Sequence, residues 1–289
     1  MKITTIAAAV AGAALLSGAA LPSAAAAAAR KTLVVCAPGF PGNTEQAKPS
    51  MEAFAKEAAS AAGWPAGSLE AIYYETEQGG LARLAGGDAA LALVPLPFFI
   101  KHARELALTP KLQVVQEKGS TEIWSLVAKK GAIALPSSLK GWEVTGSPGY
   151  APTFIRSLVL AQWGELPPEA SITFTPRAVS ALRRAAAGEK VAVILDGEQT
   201  AALKELPFAA DLEVVVRSKE LPGTILCTVS SRVDEDAGEK LVSALLGLQK
   251  SAQGVEVLKT LRMTRFERVD EAAIAALLKV AVDRPASGR

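Results

Sequence analysis

The chain has 289 residues, with 31 Lys and Arg against 29 Asp and Glu, for a formal net charge of +2. So balanced a charge excludes strong steering toward nucleic acid or an anionic membrane surface, and the basic residues are not interleaved with aromatics as nucleic-acid sites require. Two Cys and one His exclude a disulfide scaffold and a His-rich metal centre, while the length suits one large domain or two lobes that each bury a core.

Residues 1–28 read as a secretory signal peptide. Lys2 gives a positive start, Ile6 to Leu21 an apolar run, and "PSAAAAAA" the small residues of an A-x-A cleavage site. The apolar run is short for a membrane span of about 20 residues. Ala19 stands where a lipoprotein signal would carry its modified Cys, so the expectation is export without a lipid anchor. No later run is long and apolar enough to cross a bilayer. In an oxidising compartment Cys36 and Cys227 can pair; both sit inside apolar runs, which equally suits buried free thiols.

The mature chain opens with "KTLVVCAPGF", a β-branched strand ending at Pro38-Gly39. A helix follows, with Met51, Phe54, Ala55 and Ala58 at helical spacing and Gly63 as its stop. "SLEAIYYE" reads as a strand, "QGGLARLAGG" as a short helix and "AALALVP" as a buried strand. Strand, helix, strand, helix, strand predicts a parallel sheet covered by helices. "PFFIKHAREL" is a further helix, which places His102 among charges on a solvated face, and "LQVVQE" a further strand.

The pattern restarts near Gly119. "IWSLVAKKG" and "WEVTGSPG" read as strands, "APTFIRSLVLAQWG" as an amphipathic helix with Phe154, Leu158 and Ala161 on one face, and "SITFTP" as a strand. "RAVSALRRAAAG", "VAVILD", "EQTAALKEL" and "LEVVVRS" then alternate helix and strand. "LPGTILCTVSSRV" is one more strand, and only helices are expected after it. Two α/β lobes result, each a mostly parallel sheet flanked by helices. Residues 29–118 and 222–289 form the first and residues 119–221 the second, so the chain crosses twice, within 117–124 and 217–223.

The stretches "LARLAGGDAALALVP" and "ALRRAAAGEKVAVILD" repeat one order of events: helix, glycine, acid, strand. Asp88 and Glu189 therefore read as turn carboxylates that accept from free backbone N–H groups. With Gly87 set on Gly188, Pro95 falls where Asp196 falls. An open parallel sheet binds ligands beyond the C-terminal ends of its strands. That rule selects Gly39, Phe40, Tyr74, Glu75, Pro95 and Leu96 in the first lobe, and Ser147, Tyr150, Thr153 and Asp196 in the second. "GSPGYAPTF" also delivers the chain into a helix N-terminus, where an anion or polar atom is favoured.

Catalytic patterns are poor. There is no P-loop, HExxH or GxSxG, and a Ser/His/Asp triad would need His102. Glu75, Glu77 and Asp196 are the carboxylates that an acid–base site would have to recruit. The expectation is no enzyme, no catalytic residue, no metal and no cofactor.

The order of these segments resembles the type 2 periplasmic solute-binding proteins, and more narrowly the phosphonate-binding-protein-like branch of ABC transporter receptors. "LARLAGGDAALALVP", "SSLKGWEVTGSPGYAPTF", "ALRRAAAGEKVAVILDGE" and "LPGTILCTVSSRVDEDAGEKLVSALLGL" carry the resemblance, with "FERVDEAAIAALL" as the final segment. It implies a periplasmic, monomeric clamshell that closes on a small solute, anions included, and delivers it to a membrane permease. A sensor or partner-binding protein on the same fold is the alternative, and an enzyme using cleft carboxylates a further one. The sequence departs from the branch at "GYAPT": Tyr150, Ala151 and Pro152 stand where phosphonate binders carry small hydroxyl residues. A larger or more apolar solute, met by Tyr74, Phe98 and Tyr150, would fit that departure.

Overall fold

The computed structural model describes residues 30–230 and 232–283, and the expected signal peptide lies outside them. The strands, in chain order, are β1 (Lys31–Cys36), β2 (Leu69–Tyr74), β3 (Ala89–Pro95), β4 (Leu108–Val115), β5 (Thr121–Glu122), β6 (Ser125–Lys129), β7 (Glu143–Gly146), β8 (Ser171–Phe174), β9 (Val191–Leu195), β10 (Leu212–Arg217), β11 (Leu221–Pro222), β12 (Thr224–Val229) and β13 (Arg265–Arg268). The helices are α1 (Thr44–Ala61), α2 (Glu77–Leu84), α3 (Leu96–His102), α4 (Pro152–Phe154), α5 (Ala178–Ala186), α6 (Gly197–Ala202), α7 (Glu235–Gly247), α8 (Ala252–Thr260) and α9 (Glu271–Asp283).

One sheet has the order β13-β4-β12-β3-β1-β2 and the other β10-β6-β9-β7-β8; β5 and β11 pair antiparallel as a separate ribbon where the chain passes between them. Each sheet is mixed, whereas the sequence predicts mostly parallel ones. β1, β2 and β3 run parallel, as do β7, β8 and β9, but β12 is antiparallel to β3 and β6 is antiparallel to β9. The reason is the double crossing. β6 and β12 enter their sheets straight from the crossing segments, with no helix to turn the chain round, so they arrive antiparallel.

β3 is buried at every position except Pro95, and β9 throughout. Both are central strands covered on two faces, which is why they read as unbroken apolar runs. α1 buries Met51, Phe54, Ala55 and Ala58 on the predicted stripe, and Asn43 caps it by accepting from the Gln46 N–H.

Three expectations are corrected. β13 follows β12, although only helices are predicted there; it buries Phe266 alone, too little for a periodic signal. The predicted long helix after Tyr150 is short: α4 passes into a π-turn over Ile155–Val159. There the Arg156 guanidinium donates to the Leu166, Pro167 and Ala170 carbonyls, so the chain folds back on an arginine and the helix stops. His102 is buried, with its Nε2 2.6 Å from Glu77 Oε1 on α2 and its Nδ1 3.3 Å from Glu105.

The repeated turn is built mainly from side chains, with the Asp88 carboxylate also meeting its own backbone N–H as expected. Arg83 at the end of α2 forks onto both Asp88 oxygens, and the Thr32 hydroxyl of β1 donates to Asp88 Oδ2 at 2.8 Å. At the end of α5, Arg184 donates to Glu189 at 2.8 Å and to Glu143 of β7 at 3.0 Å. Each arginine stands five residues before its acid, and each acid marks the start of a central strand. The bonds from Arg83, and then from Thr32, hold the Asp88 carboxyl well below the usual carboxylate range. Because that pKa is lowered in the folded chain, the stabilisation is present above the unfolded value of about 3.9 and is lost as pH falls through the folded one. Asp88→Asn should therefore lower the unfolding free energy at pH 7 by up to about 1 kcal/mol, since the carboxylate is screened by solvent. Urea melts at pH 7 and pH 3 should show the difference shrinking at the lower pH; an equal difference at both would refute the linkage.

Candidate functional site

The C-terminal ends of β1, β3, β7 and β9 face one cleft between the two sheets, and the crossing segments close its base. Its cavity is about 390 Å³. Of the residues singled out from sequence, Phe40, Pro95, Ser147, Tyr150 and Asp196 line it. They come from the ends of four strands in two sheets.

The other five do not line it. Gly39 (φ +85°) is one step away: a Cβ there would lie 3.0 Å from Ser147 Cβ, so the loops after β1 and β7 touch across the cleft. Tyr74 is half-buried against Gly79 of α2. Glu75 accepts from the Thr44 hydroxyl at 3.4 Å. Leu96 is buried in the core and Thr153 is half-buried on α4. Glu77, the other carboxylate considered for acid–base work, is bound to Lys101 and His102, both at 2.6 Å.

Tyr150 ends the 3₁₀ turn Ser147–Tyr150. Its hydroxyl oxygen is buried without a hydrogen bond of ordinary geometry, although the Phe98 amide lies near enough to offset part of the burial that pushes its pKa well up. The ring meets Phe174 edge to face, with centroids 6.1 Å apart. Lys101 of α3 donates to the Tyr150 carbonyl at 2.7 Å, with its ammonium 5.9 Å from the ring centroid. Lys101 is also held by Glu77, so one lysine ties the first lobe to the turn that carries Tyr150.

That turn is poor in donors. Pro148 and Pro152 have no N–H, and the Ala151 N–H is taken by the Pro148 carbonyl. Gly149 sits so close to the Thr173 carbonyl that a Cβ would collide with it.

Asp196 is the N-cap of α6, accepting from the Gln199 N–H at 2.7 Å in a capping box. Pro95 is the N-cap of α3, so the residues matched by the repeat occupy the same place in the two lobes. Beside Asp196 stands Glu122, which accepts from the Gly197 N–H at 2.6 Å. Burial raises the pKa of both carboxyls; the like charge of Asp196 adds to the rise at Glu122, and that of Glu198 adds to the rise at Asp196. Glu122, Trp124, Lys118 and Glu220 line the cleft from the crossing segments and are missed by a rule that looks only at strand ends. The signal was available: a chain that crosses twice must run along the base of the cleft it creates.

Among the described residues, no three His, Cys, Asp or Glu side chains converge as a metal site, and no helix is long and apolar enough to cross a membrane. Cys36 and Cys227 are free and buried. Burial pushes the Cys36 thiol up to about 12, away from nucleophilic use at neutral pH.

A family model described as the periplasmic substrate-binding protein of phosphonate ABC transporters matches residues 44–274. Solved structures with the same fold include a Xanthomonas citri protein bound to chloride ion (TM-score 0.65, 13% identity, 87% of this chain and 99% of the other). They also include a binding-protein component of an ABC phosphonate transporter from Pseudomonas aeruginosa (0.63, 16%, 88% and 86%). A third is PhnD1 from Prochlorococcus marinus in complex with methylphosphonate (0.58, 15%, 88% and 98%). No curated protein sequence matches the chain. The fold is the two-lobe type 2 periplasmic-binding-protein fold.

Gly149→Ala should force the Ser147–Tyr150 turn off the Thr173 backbone, with a cost of roughly 1–3 kcal/mol. Denaturant melts would check this; wild-type stability would mean that the turn is free to move.

Proposed function

The chain belongs to the periplasmic substrate-binding family of phosphonate ABC transporters, and on that premise we propose that it is an exported receptor that captures a small solute between its lobes and delivers it to an ABC-type permease. The observation that carries this reading is the cavity of about 390 Å³ where strand ends from both lobes meet, with a paired ribbon at its base. A chain that crosses twice on short segments can rock one lobe against the other without unfolding either, the motion by which hinged domains close around ligands. Leu33, Leu91 and Leu226 in one sheet and Val127, Val193 and Leu195 in the other belong to separate clusters, while a third cluster that includes Val34, Phe98, Phe154 and Ile194 runs through both lobes.

Chemistry on the solute has little support in the cleft. The one His of the chain is engaged by Glu77 and Glu105, and Asp196 is committed to capping α6. A nucleophile paired with a base, the arrangement that covalent catalysis needs, is not found among the cleft residues described.

A thermal-shift screen of the mature protein against a broad solute library tests the reading, since a specific solute at about 100 times its Kd adds about 2.7 kcal/mol of stability. Small-angle scattering with the hit should show compaction. Saturation without compaction would refute the clamshell, and steady turnover of the hit would refute the receptor. Tyr150→Ala should weaken binding of the hit at least tenfold, with the fold intact by circular dichroism. Wild-type affinity in calorimetry would remove Tyr150 from the site.

A further inference from the structure

The electrostatics of the cleft point to a more definite solute. Four carboxylates line it, Glu122, Asp196, Glu198 and Glu220, against one cationic side chain, Lys118. Lys118 attracts Glu122 and Asp196 without forming an ion pair with either. The nearby Lys101 is spent on Glu77 and on the Tyr150 carbonyl. Arginine, the side chain suited to forked recognition of a phosphonate or carboxylate, is missing from the cavity lining.

The place where an anion would be expected is short of donors as well. At the start of α4 two prolines remove N–H donors, the Ala151 N–H is taken, and Ala151 makes no side-chain cap. The N-terminus of α6 already faces two carboxylates, Asp196 and Glu122, which take the Gln199 and Gly197 N–H groups. The donors at the start of α6 are therefore occupied by the chain's own carboxylates, and a second anion there would meet like charge in a partly desolvated space.

The same cleft suits the opposite charge. Glu122 and Asp196 are half-buried, and burial opposes their ionisation; a bound cation would relieve that cost. Phe40, Trp124 and Tyr150 supply aromatic surface beside them, and the Tyr150 ring already carries one ammonium group at 5.9 Å. A second, independent observation comes from one hydrogen-bond donor. The buried Trp124 indole N–H has no partner among the described residues, and Trp124 lines the cavity. Trp124 is only 7% exposed, so its unmade bond is costly unless something accepts it.

We infer that the receptor's solute is a small organic cation, an amine or quaternary ammonium that also bears an acceptor oxygen, with the positive charge beside Glu122 and Asp196. This rests on the receptor reading given above.

The test is calorimetric titration of the mature protein at pH 7 and matched ionic strength with four probes: choline, ethanolamine, methylphosphonate and inorganic phosphate. The expected result is at least tenfold tighter binding of one of the two cations than of either anion. Glu122→Gln should weaken that cation at least tenfold. Gln keeps an oxygen for the Gly197 N–H, so the variant should fold; if it does not, Asp196→Asn, which keeps the α6 cap, reads the same charge. Tighter binding of methylphosphonate or phosphate would overturn the cation assignment and leave the receptor reading standing. Cation affinity unchanged in both variants would overturn the placement. Binding of none of the four would also overturn the assignment, while the receptor reading would still be decided by the solute library and by scattering.

Discussion

In each lobe an arginine at the end of a helix grips an acid five residues later, and that grip sets where the central strand begins. Arg83 and Asp88 do this before β3, Arg184 and Glu189 before β9. Each pair is tied to the neighbouring parallel strand, through Thr32 on β1 and Glu143 on β7. Exposed ion pairs contribute little stability by themselves. Their value here is positional, because a one-residue slip would turn every side chain of a buried strand to the opposite face. Fixing the near end of β3 and β9 fixes the far end, and the far ends are Pro95 and Asp196 at the cleft.

From those ends outward, the two lobes use the same position differently. Pro95 caps α3 without a side-chain bond, so α3 takes its place by packing Leu96, Phe98 and Phe99 into the core. Asp196 caps α6 with its carboxylate, and α6 has no fully buried residue. One lobe thus presents a proline wall and the other a charge. Lys101, the last cation of α3, reaches across to the turn that carries Tyr150, so the apolar helix supplies the bond between lobes while the polar helix supplies the electrostatics.

Much of this was legible in the sequence. β3 and β9 could be read because a doubly covered strand is apolar at every position, and the turn before each because glycine and an acid follow a helix. The stripe of α1 was equally plain, since one face of a long helix packs on a sheet. What could not be read depended on contacts distant in the chain. His102 has charged neighbours, but Glu77, 25 residues earlier, draws it inward. The helix after Tyr150 stops because Arg156 finds three carbonyls in a later loop. β13 buries one side chain, which leaves no period to detect. Five of the ten residues placed at the site do line it, and those five lie at strand ends that open on the other lobe. Tyr74 ends β2 and Glu75 follows it, at the edge of the sheet, where a strand end no longer faces the cleft.

The residues that escaped the strand-end rule are those of the crossing segments, and they decide the character of the site. A crossing that only had to bend would favour small, flexible residues. This one carries Lys118, Glu122, Trp124 and Glu220 into the cavity lining and pairs β5 with β11. Glu122 sits between the two functions: its backbone belongs to the ribbon, and its carboxylate accepts from Gly197 at the start of α6. Any rotation of one lobe about the ribbon must therefore carry this carboxylate with it or break a charge-assisted bond in a partly buried site, where such bonds cost most to lose. The charge at the base of the cleft is thereby coupled to the angle between the lobes.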